Sequence, residues 1–203
     1  VSTKRRQATR ARLLEAGREL MAEIGIQGAT VEAICERAGF TRGAFYSNYA
    51  SKDELILDLF DHEKTILVSL MQAALDAELR PDDDVASMLR AADHFLAAYP
   101  RDRTSFLVHQ EFVTHGIRGR AVAQVYREVW NETHREFVRI IDHALTVLNR
   151  RLTVPLDQAA LVLIGAWEMV MREAFLESDD DEADTAAFSQ MLPQLLLAFL
   201  EPV

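Results

Sequence analysis

The chain has a single cysteine, Cys35, so no disulfide can form within it and its stability must come from a packed core. A cytoplasmic setting is the expectation that follows. Glycine and proline are scarce, with 8 and 5 copies, which leaves few sites for tight turns, and no stretch alternates as a half-buried strand would. The longest apolar run, residues 159 to 167, falls well below the roughly 20 residues needed to cross a bilayer. No membrane span is expected. The N-terminal VSTKRRQATRAR is basic but leads into an amphipathic segment, so no secretory signal is expected either.

What is present is helix-forming. Ala, Leu, Glu and Arg abound, and 49% of the 203 residues are hydrophobic, enough for one sizeable core or two modest ones. The expectation is an all-α protein. The net charge of −10 would argue against a nucleic-acid partner if it were evenly spread. It is not: residues 1 to 52 hold nine Lys/Arg and five Asp/Glu, a balance of +4, and the remaining 13 and 27 give −14. Such a chain is soluble through its acidic bulk and turns its basic end toward a polyanion.

Periodicity predicts a first helix from about Lys4 to Ile24, with Leu13, Ala16, Gly17, Leu20, Met21 and Ile24 on one face and breaks at Gly25 and Gly28. Thr30 is placed to cap a second helix, in which Val31, Ile34, Cys35 and Ala38 face inward, and Gly39 ends it. Thr41 caps a third helix of about two turns. The SKDE at Ser51 to Glu54 reads as a capping box opening a fourth helix that reaches about Leu79. Pro81 and Asp82 to Asp84 form the next boundary. Further helices are expected over 85–99, 103–115, 119–149, 156–177 and 185–200, about nine in all. Pro193 is expected to kink the last of them or mark its true start. The acidic run from Asp179 to Asp184 reads as a solvated loop, since its spacing fits no calcium-binding loop.

Two helices joined by a tight turn at Gly39, the second short and led by Thr41, have the punctuation of a helix-turn-helix. Val31, Ile34, Cys35, Phe45 and Tyr49 would hold the pair together. The outward set is then Arg42, Gly43, Tyr46, Ser47 and Asn48. Arg42 can offer a fork to guanine and Asn48 can pair an adenine edge, while the hydroxyls of Thr41, Tyr46 and Ser47 suit phosphate or base. The amides that open the helices near Thr30, Thr41 and Ser51, with Lys52 beside them, are ready phosphate sites.

The ordered run ICERAGFTRGAFYSNYASKDEL, preceded by EIGIQGATV, resembles the DNA-binding domain of the TetR family of bacterial transcription regulators. The resemblance covers about residues 7 to 67. It implies a helix-turn-helix DNA-binding domain over 1–67, with the motif at about 30–49, and a helical ligand-binding and dimerisation domain over 68–203. It also implies phosphate contacts by Thr30, Thr41, Tyr46 and Lys52, and base or backbone contacts from Arg42, Gly43, Ala44 and Ser47. Asn48 stands where a His is common in the family and Ala50 where a Pro follows, which bears on sequence preference and leaves the fold untouched.

Beyond residue 75 the pattern is less specific. The stretch AALVLIGAWEMVM is apolar on nearly all sides, so its helix should be covered by its own domain and by something else, most simply a second copy. Leu161, Gly165, Phe188, Leu192, Leu195 and Phe199 are the candidate dimer residues. Phe95, Tyr99, Phe106, Phe112, Tyr126, Trp130 and Trp167 cluster in the middle of the chain, with His109 and Gln110 among them. A partly apolar or aromatic small-molecule effector would suit that set.

No cofactor or metal is expected. The scattered histidines form no H-x-x-x-H pair, and no nucleophile-base pair or phosphate loop supports the rival reading of an all-helical enzyme. A helical partner-binding module with an incidental basic end is a further rival. The reading is therefore a homodimeric, ligand-responsive regulator of double-stranded DNA, a repressor before an activator, whose effector shifts helix four and so the spacing of paired reading helices.

Overall fold

The computed structural model describes the backbone of residues 2–80 and 85–202 and, within these, all side chains except those of residues 2, 3, 120–123, 125, 126 and 202. Nine helices lie among the described residues. They are α1 (Ser2–Gly28), α2 (Val31–Ala38), α3 (Arg42–Tyr46), α4 (Lys52–Glu78), α5 (Val85–Ala98), α6 (Arg103–Arg118), α7 (Arg120–Val147), α8 (Leu156–Glu177) and α9 (Ala186–Phe199). The all-α expectation holds. The boundary expected at Pro81 to Asp84 lies outside the described residues, as does the side chain of Tyr126.

Two features depart from the sequence reading. A pair of three-residue strands, β1 (Arg150–Leu152) and β2 (Leu200–Pro202), forms an antiparallel ladder in which Arg151 faces Glu201, and their side chains meet at 2.8 Å. Three residues are too few to carry a period of two. Pro193 does not start α9, one of the two outcomes expected of it, but lies within its span.

The chain forms two units, Val1–Lys64 with Thr104–Val129, and Thr65–Arg103 with Trp130–Val203. In the first, Leu13 and Met21 of α1, Ile34 of α2, Phe45 of α3 and Leu55 and Leu59 of α4 are all essentially buried. The α6 residues Val108 and Phe112 complete this core, Phe112 lying against Phe60 with ring centroids 3.6 Å apart. Phe112 is thus a core residue of the first unit and is not available to an effector.

In the second unit the core joins Met88 and Leu96 of α5, Leu145 and Leu148 at the end of α7, and Phe188, Leu192 and Leu196 of α9. Trp167 of α8 meets Phe188 edge to face at 5.1 Å and Tyr99 at 5.5 Å, and Tyr99 in turn lies 5.4 Å from Phe95. The acidic run is exposed except at the buried Ala183 and is tied along its length to residues 101–103: the Arg103 amide donates to the Asp181 carbonyl at 2.8 Å, the Ala183 amide to the Arg101 carbonyl at 2.9 Å, and the Arg103 side chain to the carbonyls of Ser178 and Asp180 at 2.6 and 2.9 Å. Among the described residues no three His, Cys, Asp or Glu side chains gather as a metal site, and no helix is long and apolar enough to cross a membrane.

The expected dimer face needs correction. Phe188 and Leu192 keep only 3% and 6% of their surface, because the apolar stripe of α9 is spent on its own unit's core, and Leu195 and Phe199 are half-buried. Leu161 is 55% exposed, and a Cβ on the exposed Gly165 would meet nothing within 4 Å. Among the described residues of this unit, the exposed large apolar groups are Leu161, Val162, Met169 and Leu176 on α8 and Leu197 on α9. Most of this exposed apolar surface belongs to α8.

Candidate nucleic-acid interface

Each helix of the motif is opened by a side chain that its sequence supplies locally. The Thr30 hydroxyl accepts from the Ala33 amide at 3.1 Å, the Thr41 hydroxyl from Ala44 at 3.3 Å, and the Ser51 hydroxyl from Glu54 at 3.2 Å. Glu54 reaches back to the Ala50 amide at 2.6 Å, closing the box one residue earlier than the sequence implies. The turn between α2 and α3 depends on Gly39, whose φ of 69° is left-handed, and the following Phe40 amide returns to the Cys35 carbonyl at 2.8 Å. Arg12 of α1 seals the same end by donating to the Ala38 carbonyl at 2.7 Å.

The inner face of α3 is pinned by Phe45 and Tyr49, with 0% and 1% of their surface exposed. The Tyr49 hydroxyl donates to Asp58 at 2.6 Å, and Arg10 donates to the same carboxylate oxygen at 2.8 Å and to the Asn48 carbonyl at 2.9 Å while stacking 4.3 Å from the Tyr49 ring. Burial first, and the Asp58 hydrogen bond second, push the Tyr49 phenol above its ordinary value, so it stays a proton donor. Burial likewise pushes the Cys35 thiol up, with the Glu32 carboxylate adding to the shift, which suits an inert core filler.

Outside, Thr30, Thr41, Arg42, Gly43 and Ser47 are exposed, Tyr46 is half-exposed and Ala44 is half-buried. The Ser47 hydroxyl donates to the Gly43 carbonyl at 2.8 Å and keeps its lone pairs free to accept. Arg42 extends from α3 toward α2, where its Nη1 meets Glu32 at 2.7 Å, and its Cζ lies 5.9 Å from the Tyr46 ring.

Two members of the expected set sit elsewhere. Asn48 is buried, because α3 ends at Tyr46 and the chain turns inward past Ser47. Its Nδ2 donates to the Ala44 carbonyl at 2.8 Å, and its Oδ1 has no partner among the described residues. It holds the end of α3 and does not face outward. Lys52 is half-buried, with Nζ donating to the Ile26 carbonyl at 2.8 Å. That residue is gripped from both sides, since the Ile26 amide donates to Glu111 of α6 at 2.9 Å. Gly25 permits the arrangement with φ at 75°, and a Cβ there would lie 3.0 Å from the Glu111 carboxylate. Neither Arg10 nor Glu111 carries a local signal of this role in the sequence.

The candidate effector residues fall in both units. Phe106, His109 and Gln110 belong to α6 in the first, and the Nε2 of Gln110 is buried with no partner among the described residues. Phe95, Tyr99, Trp130 and Trp167 belong to the second.

The family model for bacterial regulatory proteins, tetR family, matches residues 13–59. Over 62 residues the chain is 37% identical to the HTH-type transcriptional regulator UidR of Escherichia coli strain K12, a match covering 30% of this chain and 32% of that regulator. The chain thus aligns with about a third of the length of the curated relatives it matches. Among solved structures, a transcriptional regulator (TerR/AcrR family) from Aquifex aeolicus VF5 shares 23% identity over 94% of this chain and 99% of its own, at a TM-score of 0.63. Salmonella enterica GusR shares 20% over 94% of each chain, at 0.64. At these identities the structures speak for the fold alone, and the sequence match speaks for the DNA-binding segment. Residues 13–59 thus carry the DNA-binding segment of the tetR family of bacterial regulatory proteins, and the chain as a whole shares its fold with solved transcriptional regulators.

Proposed function

We propose that the protein is a ligand-responsive regulator of transcription that binds double-stranded DNA as a homodimer, most simply as a repressor that its effector releases. The observation that carries this reading is the surface of α3, where Thr41, Arg42, Tyr46 and Ser47 stand outward over a buried Phe45 and Tyr49. A helix of five residues, rigidly backed and polar in front, can enter the major groove without distorting its own support.

In this reading Thr30, Thr41 and Tyr46 contact phosphate, the amides opening α2 and α4 add to the grip, and Arg42, Gly43, Ala44 and Ser47 face the bases. Lys52 contributes its charge from beside the Ile26 carbonyl and keeps the start of α4 in place. A homodimer is favoured by the uncovered α8 groups Leu161, Val162, Met169 and Leu176, which a second copy would bury about a two-fold axis. The effector is partly apolar or aromatic, with Phe95, Tyr99 and Trp167 as the residues of the second unit best suited to it. Its binding shifts the population between DNA-competent and released forms, and the coupling is reciprocal.

Selection of bound duplexes from a random pool tests the reading. A palindromic site with half-sites about one helical turn apart is expected. If no sequence is enriched at moderate salt, the reading fails. The enzyme alternative would require turnover of a substrate, and the relatives named above are regulators.

A further inference from the structure

Arg42 does not project freely. Its guanidinium lies between two neighbours, the Glu32 carboxylate at 2.7 Å from Nη1 and the Tyr46 ring 5.9 Å from Cζ. Glu32 sits in the first turn of α2, two residues after the Thr30 cap, and points across the α2–α3 surface to a residue in the first position of α3. Both side chains are more than half exposed, at 57% and 62%. An ion pair in that setting contributes little to stability, so folding does not explain it. What it changes is the geometry and the field at the one arginine that faces the groove.

A guanidinium has five N–H donors, and a bidentate contact with guanine uses two of them along one edge. Glu32 engages Nη1 and the Tyr46 side chain is a second hydrogen-bond partner of the guanidinium, so it is held from two sides with further N–H donors left for a base. The carboxylate therefore restricts which donors face a base and removes much of the rotamer freedom that a long exposed arginine would lose on binding. Its charge has a second effect. A carboxylate beside the groove repels phosphates and competes with them for Arg42, so the arginine gains little by gripping any backbone it meets.

We propose that Glu32 is a positioning residue that makes Arg42 a reader of guanine and keeps it from acting as a general phosphate clamp. This rests on the reading that α3 enters the major groove. Glu32 touches no base in this arrangement; it acts through Arg42. The residue sets specificity more than affinity.

The test uses the full-length protein, the duplex that the wild type selects, its single base-pair variants, and a random-sequence duplex, all at one salt concentration. Arg42→Ala identifies the base pair that Arg42 reads, as the position whose discrimination it abolishes. At that pair, Glu32→Gln and Glu32→Asp are each expected to lose about tenfold in discrimination, the lower part of the range for a bidentate contact. Binding to the random duplex is expected to rise several-fold in Glu32→Gln and to stay unchanged in Glu32→Asp, which keeps the charge but is too short to hold the fork. Retention of full discrimination by both Glu32 variants, while Arg42→Ala loses it, overturns the proposal and leaves the groove reading intact. Retention of discrimination by Arg42→Ala overturns the assignment of Arg42 and the role of Glu32 with it. Unchanged thermal unfolding of the Glu32 variants is the accompanying control.

Discussion

The two units are held by different means. In the first, α2, α3 and α4 each begin at a side-chain hydroxyl that accepts from an amide three residues on, and α2 ends at a left-handed glycine. In the second, Pro155 supplies no side-chain cap to α8, the first amide of α9 is taken by Asp184 at 2.9 Å and not by Thr185, and the helices pack through apolar faces, one of which is uncovered. Local hydrogen bonds make a surface whose shape is fixed by a few dozen consecutive residues. Apolar faces fix what must be covered and leave open by what. In the proposed reading the first unit meets a partner as regular as duplex DNA, and the unit built from packed faces takes the effector.

The largest test of that contrast is to break the first unit's support from within. Phe45→Ala removes a fully buried ring beneath the exposed face of α3 and is expected to cost about 3–5 kcal/mol, read as a lower midpoint in chemical unfolding together with loss of DNA binding. A variant that binds DNA normally would show that α3 does not need its backing. The second unit is challenged by Leu161→Glu combined with Met169→Glu, which places two charges on the uncovered face of α8. Weakening of the proposed dimer by several kcal/mol is expected in sedimentation, and a dimer that persists would place the contact elsewhere.

A smaller effect sharpens the comparison. Thr41→Ala removes one cap and is expected to cost about 1 kcal/mol of stability, measured by denaturant unfolding. Pro155 offers no equivalent side chain at the start of α8, whereas at α9 the Asp184 carboxylate accepts from the Ala186 amide at 2.9 Å. The smallest effect lies on the acid side. Arg37 donates to Glu23 at 2.8 Å, and that hydrogen bond holds the Glu23 carboxyl below its ordinary range. Because the folded value is the lower one, the pair stabilises at neutral pH and the contribution is lost as pH falls through that value. In Arg37→Gln the decline of the thermal midpoint below about pH 4 is therefore expected to be slightly shallower.

How far the sequence could be read follows the same division. Thr30, Gly39, Thr41 and Ser51 act within four residues of themselves, and their effects were visible in the order of residues. The sequence places Asn48 outward because its punctuation implies an α3 of about two turns. A helix that stops at Tyr46 turns the residue inward instead. On α9, periodicity marked Phe188 and Leu192 as one face but carried no information on whether that face meets its own core or a second chain. Contacts such as Arg10 with Asp58 or Ile26 with Glu111 join residues 48 and 85 positions apart, and no local pattern could announce them. The strands β1 and β2 exist only because the two ends of a long segment meet.

The Ile26 peptide has a consequence of its own. Its N–H is held by Glu111 and its C=O by Lys52, while the Ile26 side chain is 1% exposed, so this amide is expected to exchange slowly with solvent while α6 stays seated. The exchange rate of this one amide is therefore a clock for the seating of α6 in the first unit. It can be followed residue by residue, with neither DNA nor effector in the tube, and Glu111→Ala would set it running fast.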